Sequence, residues 1–160
     1  PLHYTLAEKF QFPILGRRFY HTRGRDIIFI GNSFDLKKKM GRSDFFVEFI
    51  PSEVEYRILA FKDSILRISK KEKRKGEWSD PMRRNYKRGW DFITIPLDGR
   101  NNLETLSLKS LTALNLDFGA IDIIIHKDSG LEYVLEVNTA PRLNREGRDL
   151  FRQALRRYCI

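Results

Sequence analysis

Cysteine is nearly absent. Cys159, next to the last residue, is the single one, so no internal disulfide and no cysteine-based zinc site can form, and a reducing, cytoplasmic setting fits. Long apolar runs are missing too: no stretch approaches the roughly 20 residues that cross a bilayer, and Pro1-Leu2-His3 does not open a signal peptide. The lack of an initiator Met points to a processed chain or an excised domain. Histidine is scarce, with His3, His21 and His126 scattered, and no Ser/His/Asp or Cys/His arrangement for covalent catalysis is visible. There is no internal repeat, low-complexity tract or Gly/Ser linker. Negative charge is in deficit, 21 Asp and Glu against 30 Lys and Arg. The resulting net charge of +9 favours an anionic partner without choosing among nucleotide phosphate, nucleic acid and acidic peptide. Core-forming material is plentiful: 41% hydrophobic residues over a 160-residue chain supply one core, at most split over two small lobes.

Periodicity carries the coarse reading. "FPIL" (12–15) and "DIIFI" (26–30) read as strands around a polar, arginine-rich loop. "DFFVEFI" (44–50), "VEYRILAF" (54–61) and "SILRISK" (64–70) read as three more strands. Residues 71–91 are polar and hold most of the excess positive charge, which predicts a mobile loop. "NNLETLSLKSLTALNL" (101–116) reads as a helix with Asn101 or Asn102 as cap and an apolar stripe of Leu103, Leu106, Leu111 and Leu114. Two strands, 119–125 and 131–138, and a helix over about 145–158, with Leu150, Phe151, Leu155 and Tyr158 at helical spacing, complete an α+β chain with mostly antiparallel sheets.

The last two strands hold a polarity anomaly. A three-residue loop of Asp128, Ser129 and Gly130 would pair Lys127 with Leu131 and, counting back, set Asp122 opposite Glu136. Alternation then puts Asn138 on the same face and leaves Ile121, Ile123, Ile125, Tyr133, Leu135 and Val137 on a wholly apolar one. A one-residue slip would mix the polar set into the core, so the pattern itself argues for this register. Two carboxylates and an amide oxygen on one face either pair with the abundant lysines and arginines or hold a hard cation such as Mg²⁺. Spacing alone leaves both open.

"LNLDFGAIDIII" followed by "YVLEVNTAPRLN" resembles the C-terminal part of ATP-grasp enzymes, and most closely the RimK-like carboxylate–amine ligases, over most of the chain. The resemblance implies an ATP-grasp fold of two small lobes with ATP bound between them. It implies one domain over 1–160, with a phosphate-loop lobe and hinge over about 1–50, a metal-binding lobe over about 51–160, and the family's usual preceding α/β domain outside this chain. Asp122, Glu136 and Asn138 take the place of the ligands of two magnesium ions, which Mn²⁺ can replace, and these ions bridge ATP phosphates. Glu48, Phe49 and Ile50 in "FVEFI" match the hinge strand beside adenine, and Glu55 in "VEYRI" matches the acid that reaches ribose, although pairing with Arg57 is an alternative. "RRNYKRGW" matches the family's Arg-x-Asn, making Arg83 a phosphate ligand and Asn85 a contact near the metals; Lys71 is a further phosphate candidate. "GRRFYHTRGRDI" resembles the phosphate loop, with His21, Thr22, Arg23 and Gly24 over ATP.

Departures from the family pattern accompany the match. Arg17 stands where many ATP-grasp enzymes have Lys, and Arg binds phosphate with a different, bidentate geometry. Arg142 follows Pro141 where the family has Gly. The implied reaction is transfer of the ATP γ-phosphoryl group to a carboxylate, giving an acylphosphate that an amine attacks, with release of ADP and phosphate. Arg17 and Arg83 are the implied catalytic cations. The acceptors are not named by the sequence; an acidic peptide suits the basic surface, and no membrane partner is expected. Rival readings are phosphorylation without ligation, a degenerate ATP-binding domain, and a nucleic-acid-binding module built on Trp78 and Tyr86 in the basic loop. The last is disfavoured because Asp122 and Glu136 would repel a phosphate backbone.

Overall fold

Every described ladder in the chain is antiparallel, and its strands are runs rich in β-branched and aromatic residues. The computed structural model describes residues 11–20, 26–96 and 101–158. The chain divides into two compact units, Pro1–Pro51 and Ser52–Ile160.

In the first unit, β1 (Ile14–Arg17) is the middle strand between β2 (Ile28–Ile30) and β3 (Phe45–Glu48). Between β2 and β3 lies a short helix, α1 (Ser33–Lys39), which the periodicity reading missed. Only Leu36 is buried on it, so it has no apolar stripe to find, yet its end signals are plain: the Asn32 side chain accepts from the Asp35 amide at 2.9 Å, and Lys37, Lys38 and Lys39 fill its last turn. Ile14, Ile30 and Leu36 form the centre of a small core.

The second unit is a five-stranded sheet in the order β6-β5-β4-β7-β8. Its strands are β4 (Ser52–Phe61), β5 (Ser64–Lys73), β6 (Trp90–Ile95), β7 (Phe118–His126) and β8 (Glu132–Asn138). Helix α2 (Asn101–Ala113) covers one face, setting Leu103 and Leu111 against Ile58, Ile68, Ile121 and Ile123. Those four isoleucines are fully buried, and each stabilises the fold by about 1.5–3 kcal/mol. The stripe ends before Leu114, which is exposed, because the chain reverses there: Asn115 takes a left-handed φ of 53°, its amide donates to the Thr112 carbonyl, and the Leu116 amide donates to the Leu111 carbonyl. Helix α3 (Arg145–Tyr158) has the range expected, and Phe151 packs on Phe61 and Phe118 at one end of the opposite face.

Two expectations need correction. Residues 71–91 do not form one mobile loop: β5 extends to Lys73 and β6 begins at Trp90, leaving 74–89 as the connection. β6 escaped notice because its "WDFITI" lies behind that charged tract. The connection is built around buried Asp80, whose carboxylate accepts from the Met82 and Arg83 amides and from Arg83 Nε, while its carbonyl accepts from Trp90 Nε1.

The final hairpin is the second. His126 faces Leu131, its amide donating to the Leu131 carbonyl at 2.8 Å, so the loop has four residues rather than three. His126 Nδ1 accepts from the Asp128 and Ser129 amides, which holds this turn. The offset persists through Ile123↔Val134 and is cancelled by a bulge, after which Asp122 faces Glu136. The expected pair is therefore formed by a different turn. The bulge also moves side chains: Leu135 is half exposed rather than in the core, and Tyr133, opposite Ile124, lies on the Asp122 face.

Candidate active site

One face of the second sheet is covered by α2, and α3 covers only an end of the other. The rest of that second face carries charge in consecutive rows. Cross-strand pairing sets Arg57 of β4 beside Asp122 of β7 and Asp122 beside Glu136 of β8, with Asn138 opposite Ala120 in the next row. Lys71 of β5 and Glu55 of β4 lie in the preceding row, with Phe92 of β6 opposite Lys71.

The centre of this face is dry. Asp122, Glu55 and Lys71 are at most 7% exposed, so their charges persist only through one another. Arg57 holds Asp122 with two bonds, Nε to Oδ1 at 2.8 Å and Nη2 to Oδ2 at 2.5 Å. Lys71 Nζ donates to Glu55 and lies 3.4 Å from Asp122 Oδ1. Arg84 reaches Glu55 Oε2 at 3.8 Å and donates to the Ser52 carbonyl. Phe92 supplies a ring face, 5.2 Å from the Arg57 guanidinium and 5.4 Å from Lys71 Nζ.

Burial and pairing pull the two buried acids in opposite directions. Burial pushes the Asp122 carboxyl up, but the Arg57 and Lys71 cations outweigh it and hold the group below the ordinary aspartate value. For Glu55 burial wins over Lys71, and the carboxyl is raised. Arg57 is held firmly in its charged form: burial opposes it, while the bonds to Asp122 and the field of Glu136 and Glu55 favour it.

Glu136 is the exposed acid of the group, and Asn138 Nδ2 donates to its Oε1 at 3.0 Å and to the Ala120 carbonyl at 3.5 Å. Those bonds use the amide nitrogen and leave the Asn138 carbonyl oxygen as an acceptor. Glu136 stands directly across from Asp122 in the β7–β8 ladder, two acids whose repulsion a cation between them would relieve. A hard divalent ion fits a donor set of Glu136 and Asn138 oxygens beside Asp122, whose two oxygens both accept from Arg57. Among the described residues no three His, Cys, Asp or Glu side chains cluster in metal-binding fashion, so this donor set rests on two carboxylates and an amide.

The structure brings Asp122, Glu136, Asn138, Glu55 and Lys71 together on one face, and pairs Glu55 with Lys71 rather than with Arg57. Arg83 and Asn85 lie in the β5–β6 connection, with Arg83 Nε 2.5 Å from Asp80 Oδ2 and the Asn85 amide donating to the Arg83 carbonyl. Arg17, Glu48, Phe49 and Ile50 belong to the first unit: Arg17 ends β1, Glu48 ends β3 exposed, and the Phe49 ring meets Phe29 edge-on at 5.5 Å. His21, Thr22, Arg23 and Gly24 lie outside the described residues. The reading missed Arg57, Arg84 and Phe92 as members of the site. Arg57 had a signal, since "EYR" puts it on the Glu55 face; Phe92 had none once its strand went unnoticed.

The RimK-like ATP-grasp domain family matches residues 4–154. The chain belongs to that family. No curated protein sequence matches it. Among solved structures, D-alanine–D-alanine ligase from Bacillus anthracis superposes with a TM-score of 0.68 at 18% identity, over 98% of this chain and 59% of the ligase. The macrocyclase MdnC of Microcystis aeruginosa, bound to its precursor peptide MdnA, gives 0.55 at 20% identity over 88% of this chain and 44% of MdnC. A RiPP-associated ATP-grasp ligase of Chryseobacterium gregarium, in complex with ADP and a leader and core peptide, gives 0.56 at 17% identity over 86% of this chain and 46% of that enzyme. The chain thus spans about half the length of these relatives, and shares the α+β ATP-grasp fold with them.

Proposed function

We propose that this ATP-grasp domain binds ATP with Mg²⁺ and forms an amide or peptide-like bond between a carboxylate and an amine, releasing ADP and phosphate. The observation that supports this most directly is the charged face of the second sheet, where Asp122, Glu136 and Asn138 are presented beside Arg57 and Lys71 within a sheet whose other face is a closed core. In this reading Glu136 and Asn138, with Asp122 beside them, would hold the metal, which would supply positive charge to the phosphates.

The other roles belong to the chain itself. Phe49 and Ile50, with Glu48, receive adenine. His21, Thr22, Arg23 and Gly24 close on the phosphates, with Arg17 and Arg83 orienting the γ-phosphoryl group and Asn85 nearby. Assigning Glu55 to ribose and Lys71 to phosphate requires their mutual ion pair to open as ATP arrives. Arg57 positions Asp122 by its two bonds and keeps that carboxyl ionised. The acceptor carboxylate oxygen attacks γ-phosphorus and the β–γ bridging bond breaks toward ADP. The amine then attacks the acyl carbon, the C–O bond to phosphate breaks, and the amine proton leaves to solvent. Donors aimed at the transferred group, rather than a protein nucleophile, supply the catalysis.

The test is thermal. Mg²⁺-ATP is expected to raise the melting temperature of the protein, and Glu136→Ala to remove that rise; an unchanged rise in the Glu136→Ala protein would sink the metal assignment. Screening carboxylate and amine pairs, acidic peptides included, for ATP-dependent ADP release separates ligation from phosphorylation alone and from ATP binding without turnover.

A further inference from the structure

The β5–β6 connection carries more than its proposed phosphate contacts explain. Residues 73–88 hold seven Lys and Arg against two acids, Glu77 and Asp80, five of the nine net positive charges of the chain. Both acids are engaged internally: Asp80 is 4% exposed under Arg83, and Glu77 is 2.8 Å from Arg74 Nη1. Lys73, Lys75 and Lys87 are exposed around them. Among these cations stand two large aromatic side chains in water, Trp78 at 70% and Tyr86 at 66% exposure.

Loops that merely solvate charge do not need exposed rings, whose hydration is unfavourable. Nor are these rings on a loose segment. Gly89 takes φ 80° directly against the Trp78 carbonyl, where a Cβ would have no room. The Arg74 guanidinium lies 4.5 Å from the Tyr86 ring centroid and is itself tied to Asp91 at 2.9 Å and to the Tyr86 carbonyl at 3.4 Å. One ring is thus held by its backbone and the other by a stacked cation.

We infer that the outward side of this connection is a binding platform for single-stranded nucleic acid, with Trp78 and Tyr86 stacking bases and Lys73, Lys75 and Lys87 following the phosphates. Rings among cations are the pairing that single strands need, because every base offers a π-face and every nucleotide a charge. The acids from which repulsion is expected do not stand beside this connection: Asp122 is buried and paired with Arg57, and Glu136 lies on β8, at the opposite edge of the sheet from β5 and β6. An acidic peptide would use the lysines but not both rings.

Fluorescence anisotropy of a labelled 15-nucleotide oligothymidylate with the full chain, over a salt series, tests this. We expect binding that weakens steeply with salt and is unaffected by Mg²⁺-ATP. Trp78→Ala/Tyr86→Ala should weaken it at least about fivefold with an unchanged salt slope, and Trp78→Phe/Tyr86→Phe should restore it. Lys75→Gln/Lys87→Gln should lower the logarithmic salt slope by about 1.4, two phosphate contacts on a single strand. Melting temperatures of the variants, equal to that of the parent, exclude unfolding as the cause; should the alanine pair fail to fold, the phenylalanine and glutamine pairs decide. Equal affinity for a poly-glutamate 15-mer, indifference to the aromatic changes, or no oligothymidylate binding at low salt would each overturn the platform. Because the readout contains no ATP turnover, loss of ligase function and loss of this platform are separable.

Discussion

At the scale of single residues, the site is decided by which cation faces which acid. Lys71 bridges Glu55 and Asp122 with almost no water around it. Removing one partner of such a buried set strands the other charges, so Lys71→Met should cost about 3–5 kcal/mol by urea unfolding. Lys71→Met/Glu55→Gln should cost clearly less than the sum of the two single changes, and additivity would disprove the coupling. The pH dependence follows from Asp122. Its folded-state carboxyl is held below the ordinary value, so its contribution is present above the unfolded value and is lost as pH falls through the folded one. Glu55 has the opposite sign: its raised carboxyl makes the ionised form unfavourable at neutral pH, a cost that is relieved as pH falls toward the ordinary glutamate value. Stability is therefore expected to hold or rise on moving from neutral pH toward about 5 and to drop below about 4. Asp122→Asn should flatten the acid limb, and Glu55→Gln the region above it, in unfolding curves recorded from pH 3 to 7.

At the scale of elements, connections rather than strands hold the surprises. The β5–β6 connection is kept in shape by one buried aspartate and one glycine. Gly89→Ala combines a positive φ with a clash against backbone and should destabilise by about 1–3 kcal/mol, with the larger change seen in near-ultraviolet circular dichroism as Trp78 and Trp90 lose their fixed surroundings. No change in either signal would mean that the loop adopts its form without the glycine. The β7–β8 hairpin shows why register was legible although its turn was not. Burial of Ile121 in the core and placement of the charged Asp122 and Glu136 on the other face fix the pairing near the site, whereas turn length and bulge compensate for each other farther along. Elements with strong periodicity, β4, β5, α2 and α3, were readable from side chains alone. Short α1, with one buried residue, and β6, hidden behind charge, were not.

At the scale of the whole molecule, the two units differ in what they bury. The second unit packs Tyr56, Ile58, Ala60, Ile68, Leu103, Leu111, Ile121 and Ile123 into one cluster, while the core of the first, among its described residues, centres on Ile14, Ile30 and Leu36. A fragment of residues 52–160 is expected to unfold cooperatively by itself, and residues 1–51 alone to give no cooperative transition; a sharp transition in the smaller fragment would reverse that ranking. The sequence by itself determined the α+β class, the family, and the residue pattern that sets Asp122, Glu136 and Asn138 on one face, because alternation and burial act locally along a strand. Tertiary structure alone decided the partners: Arg57 takes Asp122 and Lys71 takes Glu55, because charges choose neighbours across strands that are distant in sequence, and in a dry interior the nearest opposite charge wins.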